Sequence, residues 1–142
     1  MIAVRARALG DGSIVLTTST AASGAPAADA LRATGASLVQ VSEAQGAGSP
    51  AHVDLAAALG ALAARGIASV LVEAGPGLAT ALLDAQLVDE LWWFQAPMWL
   101  GSDARHAIGA LGLAEPAAAA RWTRLHACAI DDDSLTVLAR PL

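Results

Sequence analysis

Lysine is absent from these 142 residues, cysteine occurs once, and no apolar run approaches the length of a membrane span. Without lysine the positive charge rests on arginines spread along the chain, and the net charge is −5 with a pI near 4.9. No basic patch for nucleic acid arises from that balance. Cys128 alone cannot close an internal disulfide, and with His52, His106 and His126 scattered along the chain it offers no zinc-ligand spacing. No metal is therefore expected. Hydrophobic residues make up 56% and mean hydropathy is +0.54, yet every apolar run falls short of the ~18 to 20 residues that cross a bilayer. No membrane partner is expected. The start, Met1-Ile2-Ala3-Val4-Arg5-Ala6-Arg7, lacks the continuous apolar core of a secretory signal. Together with the lone cysteine this points to a reducing cytoplasm. No general acid, nucleophile or Ser/His/Asp set can be assembled either, which suits chemistry whose reactive atom comes from a cofactor.

The pattern that is present alternates strand and helix, as in an α/β layer fold with a mostly parallel sheet. A chain of this length is one domain, able to bury about 70% of its unfolded surface. Strands are expected at 13–18 and 37–41, with a short helix at 27–34 between them, stopped by Gly35. A polar surface loop follows at 42–51. From Asp54, an N-cap by residue type, Leu55, Leu59 and Leu62 recur at helical spacing as far as Gly66. The run at 67–72 is apolar at nearly every position, as in a central strand covered on both faces. A strand at 91–96 ends at Pro97. The tail reads as a hairpin, 121–129 and 135–140, turning at Asp131-Asp132-Asp133-Ser134. The adjacent Trp92 and Trp93 face opposite sides of their strand, so at least one is expected in the core, as is Cys128.

The stretch richest in chemical meaning is Ser69-Val70-Leu71-Val72-Glu73-Ala74-Gly75-Pro76-Gly77-Leu78-Ala79-Thr80-Ala81-Leu82-Leu83. Here an apolar run enters a glycine turn that opens a helix over about 77–86. The first N–H groups of a helix lack carbonyl partners and carry partial positive charge, so a pyrophosphate can sit there. Gly75 and Gly77 place no side chain between backbone and ligand, and Pro76 presets its φ where a missing N–H costs nothing. A tight connection with no ligand is the bland alternative. For Glu73 the alternative is a carboxylate that merely faces the positive end of the helix. The spacing Gly75-x-Gly77-x-x-Thr80 half matches the dinucleotide fingerprint of doubly wound folds, but no acidic residue closes a following strand ~20 residues on.

Several blocks together carry a family resemblance: Val53-Asp54-Leu55, Gly66-Ile67, Val70-Leu71-Val72-Glu73-Ala74-Gly75-Pro76, Leu87-Val88-Asp89-Glu90-Leu91, Ala96-Pro97 and Gly101-Ser102-Asp103-Ala104-Arg105. The chain resembles the C-terminal reductase domain of the bifunctional riboflavin biosynthesis deaminase/reductase, most strongly over 66–105. The resemblance implies a dihydrofolate-reductase-like fold in which NADPH reduces the ribosyl of 5-amino-6-(5-phosphoribosylamino)uracil to a ribityl chain. It implies that Glu73 contacts the substrate, and that Gly75, Pro76, Gly77, Leu78, Ala79, Thr80 and Ala81 hold NADPH. It also implies homodimers through the reductase domain. Departures are Gly77 where the family usually has threonine, Gln86 in place of a helix-ending glycine, and bulky Trp92, Trp93 and Trp99. Met1 enters the family pattern partway through, so the front strands and the deaminase domain are expected to be missing. An unpaired apolar sheet edge would follow. Two classes of function remain: the back half of an NADPH-dependent reductase, or a non-catalytic remnant or assembly module that keeps the fold and a nucleotide pocket.

Overall fold

The computed structural model describes residues 12–19, 26–44 and 52–141, which belong to two compact units, 1–70 and 71–142.

In the first unit β1 (Ile14–Thr18) and β2 (Ser37–Val41) pair in parallel, with Ile14 opposite Ser37 and Thr18 opposite Val41. Between them runs α1 (Pro26–Ala33), whose opening proline has the preset φ of a first helical position. Gly35 follows with a φ of +85°, the left-handed stop expected from its place in the sequence. Val15, Ala28, Ala36, Val39 and Ala58 are the buried apolar residues among those described in this unit. All are small or medium in size, which limits how much apolar area the core removes from water.

β3 (Glu43–Ala44) pairs antiparallel with β4 (His52–Val53), so part of the segment read as a loop at 42–51 is a short strand, while 45–51 lie outside the described residues. Next comes α2 (Leu55–Ala63). Asp54 caps it as expected: its carboxylate accepts from the Ala57 N–H at 3.0 Å, and its own N–H donates to the Ser42 carbonyl at 3.0 Å. Gly66, at φ +82°, ends the helix.

The 67–72 run departs from expectation. It forms no strand, and Val70, Leu71 and Val72 are 46%, 82% and 44% exposed. A strand is held by hydrogen bonds to a neighbour, and none of the described strands pairs with this run. Apolar composition alone cannot supply the ladder. The expected mostly parallel sheet is corrected for the same reason. Among the described residues β1–β2 is the one parallel pair, and the other ladders are antiparallel.

In the second unit α3 (Pro76–Asp84) precedes β5 (Glu90–Gln95), a short 3-10 turn (Pro116–Ala118), β6 (Thr123–Ile130) and β7 (Asp133–Ala139). The strands form one antiparallel sheet in the order β5-β7-β6. The tail hairpin is present, and Asp131 makes its tight turn at φ +51°, a conformation aspartate tolerates better than most residues. A bulge interrupts β6 between Arg124 and His126. Central β7 is paired on both edges, and it alone of the three strands has buried residues, Leu135 and Val137. Arg140 ties its end to the turn after α3. Its backbone N–H donates to the Asp89 carbonyl at 2.9 Å and its guanidinium to the Gln86 carbonyl at 2.8 Å.

Two core expectations fail here. Trp92 and Trp93 are both exposed, at 54% and 38%, and Cys128 is exposed on edge strand β6. Pairing puts Trp92, Phe94, Cys128, Leu135 and Val137 on one face, of which the outer-strand members Trp92, Phe94 and Cys128 are exposed.

Candidate functional site

Local sequence explains the start of α3. Gly75 stands at the N-cap with extended backbone (φ −71°, ψ 171°) and no side-chain cap, and Pro76 occupies the first turn. The first backbone bond is the Ala79 N–H to the Gly75 carbonyl at 3.1 Å. Pro76 has no N–H, so the Gly77 and Leu78 amides are the first-turn donors ahead of that bond. A Cβ built on Gly75 or on Gly77 meets nothing within 4 Å. Space at the helix start is therefore open to a ligand rather than taken up by packing.

Beside this turn lies a groove of about 550 Å³ lined by Pro76, Gly77, Thr80 and Ala81 on one wall, with Asp84 farther along α3. The segment 109–112 forms the facing wall. Among the described residues, Asp84 is the only ionisable one lining the groove. It stands seven residues beyond Gly77, about 10 Å along the axis at the rise of an α-helix. Anion attraction is therefore concentrated at the first-turn amides, while the Asp84 end favours neutral or donor groups.

Of the residues read from sequence as holding a cofactor, Pro76, Gly77, Thr80 and Ala81 line the groove. Gly75, Leu78 and Ala79 do not, although Gly75 and Ala79 close the first turn by their mutual hydrogen bond. Glu73 is exposed, two residues before the cap and outside the groove. Thr80 is more constrained than the sequence implied. Its hydroxyl donates to the Pro76 carbonyl at 2.6 Å and accepts from the Gly109 N–H at 2.7 Å. In this geometry its proton is committed within the protein.

Sequence reasoning missed Asp84 and the whole facing wall. The available signal was the glycine pair in Gly109-Ala110-Leu111-Gly112, where Gly112 adopts φ +68°. Asp103, Arg105 and His106, polar residues in the loop after Gly101, are exposed and do not line the groove. Among the described residues no three His, Cys, Asp or Glu side chains are grouped to hold a metal, and no helix is long and apolar enough to cross a membrane.

Comparison with known proteins agrees with the resemblance. The family model described as the RibD C-terminal domain matches residues 5–136. The riboflavin biosynthesis protein RibD of Escherichia coli (strain K12) is 56% identical over 54 residues, which are 38% of this chain and 15% of that protein. Two solved structures of Acinetobacter baumannii RibD, form 2 and form 1, each superpose with a TM-score of 0.67 at 25% identity, over 80% of this chain and 29% of theirs. The chain thus spans less than a third of the length of these relatives. With a family match running from residue 5 to 136, the chain belongs to the RibD C-terminal domain family.

Proposed function

We propose that this chain is the reductase part of a riboflavin-biosynthesis enzyme, reducing the ribosyl of 5-amino-6-(5-phosphoribosylamino)uracil to the ribityl product with NADPH. The carrying observation is the start of α3: two first-turn amide donors and a glycine with open space beside a 550 Å³ groove. Family membership and the riboflavin-biosynthesis name of the Escherichia coli relative support the same reading.

NADPH, when bound, supplies the hydride. The chain supplies position and field. Gly77 and Leu78 N–H groups would hold the pyrophosphate, Pro76 and Ala81 give the groove an apolar wall, and Gly75 and Ala79 fix the turn that aims the donors. Glu73, on the exposed approach to the helix, would contact the substrate, a small molecule bearing hydroxyl groups that a carboxylate can accept from. The proposed setting is a cytoplasmic homodimer with a dihydrofolate-reductase-like sheet. The exposed Val70–Val72 run favours a second reading, an assembly module whose unpaired segment awaits a partner strand.

The experiment is calorimetric titration of the full chain with NADPH beside Gly77→Asp. An aspartate in the first turn suits the helix dipole and its Cβ meets nothing within 4 Å, so the melting temperature should hold or rise. Its charge should nonetheless weaken pyrophosphate binding by about tenfold or more, a loss on the order of 1.4 kcal/mol. A folded wild-type chain that takes up no NADPH overturns the proposal.

A further inference from the structure

We infer that Thr80 is a positioning residue whose hydroxyl pins the glycine segment at 109–112 to α3 and thereby builds the second wall of the groove. The inference rests on the cofactor reading for its effect on binding. The latch itself stands on geometry alone.

A threonine hydroxyl has one proton and two acceptor lone pairs. Here the proton goes back to the Pro76 carbonyl at 2.6 Å, one turn earlier in α3, which fixes the direction of the oxygen. The oxygen then accepts the Gly109 N–H at 2.7 Å, a bond spanning 29 residues. The segment it holds has little else to order it. Residues 96–115 carry neither helix nor strand, and Gly112 has no side chain to anchor. Glycine suits position 109 because a Cβ there would stand 3.1 Å from the Thr80 oxygen, tighter than an ordinary contact.

Because the groove is bounded by α3 on one side and by 109–112 on the other, loss of this hydroxyl frees one wall while leaving the helix and its first-turn donors in place. Thr80 thus acts on the ligand through Gly109 rather than by donating to it. A residue read from sequence as a cofactor contact becomes the support of a contact surface.

The test uses the full chain with Thr80→Val, which keeps the shape and removes the hydroxyl, and Thr80→Ser, which keeps the hydroxyl and removes the methyl. Gly109→Ala, which leaves α3 untouched, pushes the segment away from the other side. Amide hydrogen exchange at residue 109 reads the latch, and NADPH titration reads its consequence. Thr80→Val should speed exchange of the Gly109 amide and raise the NADPH Kd, each by about tenfold, the worth of about one hydrogen bond. Gly109→Ala should raise the Kd in the same direction, and Thr80→Ser should stay within about twofold of wild type in both readouts, as expected when the hydroxyl is retained. Unchanged exchange in Thr80→Val overturns the latch. Faster exchange with an unchanged Kd overturns the positioning role. Failure of the wild type to bind NADPH overturns the cofactor reading instead, and the exchange result then decides the latch.

Discussion

At the scale of single residues, Gln86 shows how a departure from the family pattern acquires a physical meaning. It follows the C-terminus of α3 at φ +56°, in the left-handed region where a side chain crowds the following carbonyl. The surrounding hydrogen bonds hold it there. The Gln86 N–H donates to the Leu83 carbonyl and the Leu87 N–H to the Leu82 carbonyl, both at 3.0 Å, while the Gln86 carbonyl accepts from Arg140. Its side chain is exposed, so replacing it removes no packing. Gln86→Gly should therefore stabilise the chain by about 1 kcal/mol, raising the melting temperature by about 3 °C in thermal denaturation. A fall in melting temperature would show that the glutamine makes up for its backbone strain. Asp54 lies at the opposite end of legibility, because its N-cap role depends on the Ala57 amide three residues away and could be read from residue type alone.

At the scale of elements, the antiparallel sheet of the second unit divides its apolar residues by strand position rather than by composition. Leu135 and Val137 on central β7 are 8% exposed, whereas Leu125 at the bulge of edge strand β6 is 58% exposed. Leu135→Ala should cost about 2–3 kcal/mol, and Leu125→Ala less than about 0.5 kcal/mol, measured by urea denaturation. Equal losses would mean that β6 is covered in solution. The hairpin was legible because alternation and a polar aspartate turn are local signals. That β7 lies between β5 and β6, and is therefore the protected strand, was not. Strand order is set by which partners are available, not by the residues of one strand. The same reason explains why Cys128 and Trp92, apolar by type, lie exposed.

For the whole molecule, hydrophobic content exceeds what the described structure covers. Among the described residues no large side chain is fully buried, and Leu71, Trp99 and Leu100 are 82%, 96% and 70% exposed. Patches of this kind attract other apolar surfaces. The chain by itself should bind the dye ANS in native buffer, its tryptophan emission should be readily quenched by acrylamide, and size-exclusion chromatography should show a dimer or larger species. A compact monomer silent to ANS would overturn the proposed self-association.

Features that depend on residues a few positions apart are legible from residue order: the α1–β2 and Asp54–α2 boundaries, the glycine stops, the Gly75-Pro76-Gly77 helix start, the tail hairpin and, through the ordered blocks over 66–105, the family. What depends on distant partners emerged with the folded chain. Folding left 67–72 unpaired although its composition is that of a buried strand, because a ladder needs a neighbour. It also joined Thr80 to Gly109, because a hydrogen bond across 29 residues leaves no periodicity in the chain and exists only where folding brings a hydroxyl and an amide within reach.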